Sequence, residues 1–455
     1  MTRALTRRPP LFYGWYIVGV ALLAQFVAAG TQTYASGVFL KPMTQELHWS
    51  RESFSAVQTV STVVMGGLGL VIGGIIDKRG PRLLMLFGAV IAGASLCATS
   101  QVHELWQFYL LRGVGQTVGN AMLGNLVVNV TVSKWFVARR GMAVAIASAG
   151  VSLGGVLMAP VVSIFVGAYG WRPAWILLGI VVWVLILPSA LVIRRTPEDH
   201  GLLPDGMSLE RAREYSVEKK RASSVSERQW TRPEALRTKT IWLVILAYGT
   251  ANIGLGAMLL HLIPYLTDQG FDRGTAALLF SIQAWAALIS KPLWGMLMDR
   301  FHARFLSAVG FMIAAGSILA LIPVGRAGSE PLLAVVLAAY GFGIGGTIPL
   351  QETVWASYFG RQHLGKIRSV ALPFSIVFGA GGPLLAGYLY DRTGSYTSAF
   401  VIFAFFSLIG FIFILLARPP RHPDARVEVT LGPLVPAAVP HLASPRGALK
   451  GQHPA

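Results

Sequence analysis

Twelve apolar stretches, each long enough to cross a bilayer as a helix, dominate the chain. They fall at roughly 13–38, 53–76, 83–100, 105–132, 139–167 and 173–193, then 240–266, 274–298, 304–324, 331–358, 367–390 and 398–417. A soluble chain cannot hide this much apolar surface and still cover itself with polar groups. Of the 455 residues, 54% are hydrophobic and 13% charged, about half the usual charged share. In lipid every backbone polar group must be satisfied internally, so each stretch is expected to be a helix. The expected fold is an all-α membrane protein with twelve transmembrane helices in two six-helix halves.

The stretches divide the chain into a terminus over 1–10, a first half over 11–195, a linker over 196–237, a second half over 238–417 and a tail over 418–455. Basic residues favour the cytoplasmic side of a membrane. With both termini cytoplasmic, 30 of the 38 Lys and Arg fall on that side. Six fall outside: Lys41, Arg51, Arg172, Arg273, Arg326 and Arg392. The expectation is a multi-pass protein of the cytoplasmic (inner) membrane, monomeric and in contact with the lipid bilayer. The first apolar run is too long for a cleaved leader and reads as a retained helix. The tail, rich in Pro and Ala, cannot bury a core and is expected to be disordered. A net charge of +18 raises nucleic acid as a partner, but the charges sit in short clusters between apolar runs. No nucleic-acid partner is therefore expected. Cys97 is the single cysteine, which excludes an internal disulfide or a cysteine metal cluster.

The halves repeat one another. Asp77-Lys78 after Gly73 is matched by Asp299-Arg300 after Gly295, 222 residues on, and Arg51 by Arg273 at the same offset. Gly170-Trp171 is answered by Gly394-Ser395, 224 residues on. Such parallel repeats place a substrate site between the halves, near mid-membrane.

The run Gly73-Gly74-Ile75-Ile76-Asp77-Lys78-Arg79-Gly80-Pro81-Arg82 resembles the loop signature of the major facilitator superfamily. Gly80-Pro81 suits a tight turn into a new helix, and Asp77 at a helix C-terminus needs a cationic partner. The resemblance implies a cytoplasmic gate built from Asp77, Lys78, Arg82, Asp299 and Arg300. Trp135-Phe136-Val137-Ala138-Arg139-Arg140-Gly141, Tyr13-Gly14-Trp15 and Ser290-Lys291-Pro292 are similar to the monocarboxylate transporter group within that superfamily. So are Gly382-Pro383 and Asp391-Arg392-Thr393-Gly394-Ser395-Tyr396. The resemblance covers about 11–417 and implies a secondary transporter that moves a small organic anion by alternating access.

Ionisable groups inside a membrane cost about 2.5–3.5 kcal/mol each, so each needs a reason. Lys291 lies eight residues before Asp299, about 12 Å into the bilayer at helical rise. It could bind a carboxylate as a point charge, or snorkel to the surface. In the monocarboxylate group this position is usually arginine. Arg112, Gln116 and Asn120 share one helix face, which reads as a cavity wall or as an interhelical hydrogen-bond network. Glu352 is a candidate for proton coupling; the alternative is an ion pair with Arg361 or Arg368. Tyr34, Gln32, Gln283 and His261 complete the candidate substrate path, with His261 near the outer mouth. Tyr34 and Ala287 stand where the eukaryotic group has its coupling lysine and aspartate. No metal site, cofactor or catalytic constellation is expected. A drug or metabolite efflux antiporter is the first rival; Gly141, Gly150 and Gly154 fit part of its pattern, but Gly155 replaces the proline. A transporter-like sensor is the second.

Overall fold

The structure, a computed structural model, describes residues 12–208, 210, 230–298, 300–360 and 367–420. The terminus before Phe12, most of the linker, Asp299 and the tail after Pro420 lie outside these. In the first half the long helices are α1 (Gly14–Glu46), α2 (Arg51–Arg79), α3 (Pro81–Thr99), α5 (Arg140–Tyr169) and α6 (Trp171–Val192). Between α3 and α5, α4 runs through four consecutive pieces: Leu105–Phe108, Tyr109–Gly115, Gln116–Leu123 and Asn125–Trp135. The second half comprises α7 (Lys239–Asp268), α8 (Arg273–Met298), α9 (Ala303–Ala327), α10 (Glu330–Phe359), α11 (Ala371–Thr393) and α12 (Thr397–Leu416). Among the described residues, nine helices are long and apolar enough to cross a bilayer. The fourth expected span is not one regular helix, because Gly124 takes extended backbone (φ −79°, ψ −162°) and divides it.

Helix ends follow the sequence. Gly80, with φ +76°, makes the turn between α2 and α3, and Pro81 opens α3, where its missing N–H costs nothing. The helices alternate in direction, so one face of the bundle carries Arg51 and the α7–α8 turn. The opposite face carries the α2–α3 turn and the linker, and is called the linker face here. The two halves meet along α2 with α11 and along α5 with α8.

Two helices of the first half are drawn together by small residues. A Cβ on Gly150 of α5 would lie 2.1 Å from the Leu22 carbonyl of α1, and one on Gly154 would lie 3.0 Å from the Gly30 nitrogen. Only glycine permits this approach. Farther along α1, Phe39 stacks on Trp175 of α6 with centroids 3.8 Å apart. Gly150→Val is expected to lower stability by about 1–3 kcal/mol, the usual penalty of overpacking. Gly167→Ala on the same helix meets open space and should leave it unchanged. Thermal unfolding of the purified variants in detergent checks both.

Candidate functional site

Two π-helical turns set the geometry of the first half. One, Gly30–Tyr34, interrupts α1; the other, Tyr109–Gly115, interrupts α4. A π turn widens the helix and redirects its carbonyls, and such turns concentrate at functional positions. Arg112 sits in the second and reaches into the first. Its Nη2 donates to the Thr31 carbonyl at 3.3 Å, to the Gln32 carbonyl, and to Ser36 Oγ at 2.5 Å. The guanidinium lies 5.7 Å from the Trp175 ring centroid and is 2% exposed. One turn on, Gln116 donates to Thr31 Oγ1 at 3.3 Å. A further turn on, Asn120 donates to Gln32 Oε1 at 2.6 Å, and Gln32 Nε2 donates to Thr117 Oγ1 at 3.0 Å. The face shared by Arg112, Gln116 and Asn120 is thus turned onto α1. Arg112 Nη1, Gln116 Oε1 and Asn120 Oδ1 are buried without a hydrogen-bond partner, so the network is only part-satisfied.

Beside this network lies a cavity of about 750 Å³. Gln25 and Gln32 of α1 and Asn120, Asn125 and Asn129 of α4 supply its amide wall. Ile72 of α2 and Arg368, just before α11, line it toward the linker face. Arg368 is the charged residue among its described lining residues. Gly124 lines it too, so the break in α4 falls at the cavity wall.

The remaining candidates are spread between seam and ends. Lys291 donates to Ser152 Oγ at 2.7 Å, across the α8–α5 seam and one residue from the cavity-lining Val151. Tyr34 packs edge-on against Phe280 of α8, with centroids 6.0 Å apart. Gln283 is buried, its Oε1 without a partner. Glu352 pairs with Arg368 at 2.5 Å, the ion pair that the sequence left as the alternative, and both side chains are over a third exposed. His261 does not line an open mouth; it is fully buried, because the Arg51 face is shut over it. Asp77, Lys78 and Asp299 have side chains outside the described residues; Arg82 and Arg300 are exposed at the linker face. Among the described residues no cluster of metal-ligating side chains occurs.

What shuts the Arg51 face was not singled out from the sequence. Arg51 of α2 makes a forked pair with Asp268 of α7, Nη1 to Oδ2 at 2.6 Å and Nη2 to Oδ1 at 3.2 Å. The same Nη1 donates to the Tyr396 hydroxyl at 2.7 Å, and the guanidinium lies 3.7 Å from the Tyr390 ring centroid. Lys41 of α1 adds a second cation to Asp268 at 2.9 Å. Asp391 of α11 accepts from the backbone N–H groups of Arg51 (3.0 Å) and Glu52 (2.7 Å), so a carboxylate of one half caps a helix of the other. Gly387 makes this approach possible, since a Cβ there would stand 2.7 Å from the Arg51 carbonyl. The sequence signal for it is a basic α2 start together with acidic ends on α7 and α11.

By contrast, the carboxyl of Asp272 caps its own helix, accepting from Gly274 at 2.8 Å and Thr275 at 3.1 Å. Hydrogen bonds from Thr275 hold it below the ordinary carboxylate value. This contrast predicts the behaviour of two variants. Asp391→Ala removes a cap worth about 0.5–2 kcal/mol from the closed arrangement, so amide exchange across residues 51–55 should accelerate. Asp272→Ala should leave that segment unchanged. Hydrogen–deuterium exchange read by mass spectrometry distinguishes them.

Residues 21–367 match the Major Facilitator Superfamily, with a second match over 256–449. The chain is 26% identical over 414 residues to the oxalate:formate antiporter of Oxalobacter formigenes, covering 90% of this chain and 93% of that protein. It is 26% identical over 458 residues to human monocarboxylate transporter 11, covering 96% and 90%. Its fold is shared with the inward-open xylose transporter XylE from E. coli (TM-score 0.70, 15% identity, 92% of this chain and 99% of that one). It is equally shared with a bacterial homologue of the human lysosomal transporter Spinster, inward-facing and occupied (TM-score 0.70, 16% identity, 89% and 97%). With twelve helices in two halves and a superfamily match over most of its length, the chain belongs to the Major Facilitator Superfamily of multi-pass membrane transporters.

Proposed function

We propose that this transporter carries a small organic anion, a monocarboxylate, by alternating access, with the linker face cytoplasmic and both termini inside. In this reading the structure is inward-facing. The observation that carries the anion assignment is the cavity wall: amides and Arg368, with no carboxylate among the described lining residues. An anion entering from the linker face meets Arg368 first, then the amides of Asn129 and Asn120. Lys291, the cation at the α5–α8 seam, is the deeper contact. A carboxylate could replace Ser152 as its partner, exchanging a neutral hydrogen bond for a charge-assisted one. The full-length relatives include an oxalate:formate antiporter and monocarboxylate transporters, which supports the same class.

Proton coupling or exchange drives the cycle in this account. Glu352 is a weak coupling candidate, since it is part-exposed and paired with Arg368. The pair still has a role, because an anion bound at Arg368 competes with Glu352.

A thermal-shift series on purified full-length protein tests the assignment, using formate, acetate, lactate, oxalate and tetraphenylphosphonium. A ligand that binds only the folded state adds about 2.7 kcal/mol of stability at a hundred times its Kd. One of the carboxylates should stabilise the protein, and Lys291→Gln should weaken its Kd at least about tenfold, or about 1.4 kcal/mol. Stabilisation by the lipophilic cation alone would contradict the proposal and favour efflux.

A further inference from the structure

His261 lies inside the closed Arg51 face, and its hydrogen bonds run in one direction. Its Nε2 is 3.0 Å from the Pro383 carbonyl of α11 and 3.1 Å from Ser55 Oγ of α2. The carbonyl can only accept, so Nε2 carries a hydrogen. Ser55 also fits as an acceptor here, because its own hydroxyl donates to the Arg51 carbonyl at 2.6 Å. That leaves Nδ1, 2.9 Å from the Tyr396 hydroxyl, as the acceptor of the neutral ring. Tyr396 in turn accepts from Arg51, and Arg51 is held by Asp268. A single donor chain therefore crosses the gate from Arg51 through Tyr396 to His261, ending on Pro383 and Ser55.

A second proton on the ring is incompatible with this chain. It would turn Nδ1 into a donor and leave the Tyr396 hydroxyl accepting from two donors, its own hydrogen having lost the acceptor it had in Nδ1. It would also bury a cation one hydroxyl away from the Arg51 guanidinium. The charged groups around the gate are Lys41 and Arg51 against Glu52, Asp268 and Asp391, and among the described residues the ring's hydrogen-bond partners are Ser55, Tyr396 and Pro383, none of them a carboxylate. The phenols of Tyr265, Tyr390 and Tyr396 are the other titratable groups packed about it. Opening the face carries Ser55 and Arg51 away from Tyr396 and Pro383 and gives the ring to water.

We propose that His261 is a proton-binding site that couples the gate at the Arg51 face to pH: it takes up a proton as that face opens and must release it before the face closes. The sign follows from linkage. The open state binds the proton better, so acid on that side favours opening, and the effect fades as pH rises past about 6.5, the ordinary histidine value. The proposal rests on the gate and on alternating access, and stands whether or not the substrate is a carboxylate.

The test uses the full chain with Cys97→Ser and spin labels at Gln101→Cys and Gln269→Cys, exposed positions on the Arg51 face of opposite halves. Pulsed electron–electron distance distributions are recorded in lipid nanodiscs between pH 5 and pH 8. A longer inter-half distance should gain population on acidification, by at most about tenfold in the open-to-closed ratio per pH unit for one proton. His261→Gln, which keeps one donor and one acceptor, should flatten the response. Tyr396→Phe, which cuts the link between Arg51 and the ring, should weaken it, and reads the same proposal if His261→Gln fails to fold. A distribution independent of pH in the parent protein, or a parent-like response in His261→Gln, would overturn the assignment.

Discussion

The guanidinium of Arg51 joins two bodies that alternating access requires to separate. It pairs with Asp268 through two hydrogen bonds, donates to Tyr396 and packs on Tyr390, all three of them in the other half. Asp391 strengthens the same junction from the opposite direction, by capping the helix that begins at Arg51. Side-chain charge and helix dipole thus act at one point, so one rotation of the halves breaks both together. Everything behind the junction depends on it: His261 is buried because it is shut, and the cavity can face only the other way.

The first half is built so that it can rotate without coming apart. Arg112 ties the π turn of α4 to the π turn of α1, using carbonyls that a regular helix would keep for itself. Gly150 and Gly154 bring α5 against the same stretch of α1. These contacts lie within one half and need not change during a cycle. Lys291–Ser152, by contrast, crosses the α5–α8 seam between the halves. The Arg112 contacts thus lie inside one half, while Lys291–Ser152 joins the two.

Much of this was legible from the residues alone. Apolar run lengths, the Gly80-Pro81 turn and the two-fold repeat led to twelve helices in two halves. The polar face of Arg112, Gln116 and Asn120 was visible at helical spacing, because i and i+4 positions share a face whatever they touch. Its target was not, since a π turn leaves no periodic mark and Gly30–Tyr34 reads as ordinary helix. The gate escaped for a different reason. Arg51, Asp268 and Asp391 lie up to 340 residues apart, at helix ends, where a charge is usually solvated and draws no notice. His261 near the outer end of its helix reads as lining the vestibule mouth, whereas the structure buries it, because its surroundings depend on which face is shut.

The central claim is that the Arg51 junction closes one face while the cavity serves the other. Labelling of a single cysteine at Thr33, which lines the cavity, tests this most directly in the Cys97→Ser protein. A membrane-impermeant maleimide would be added to either side of oriented proteoliposomes. The account predicts labelling from the linker face in the parent protein, and new reactivity from the Arg51 face once Asp268 is changed to Asn. Equal labelling from both sides, unaffected by Asp268→Asn, would contradict it.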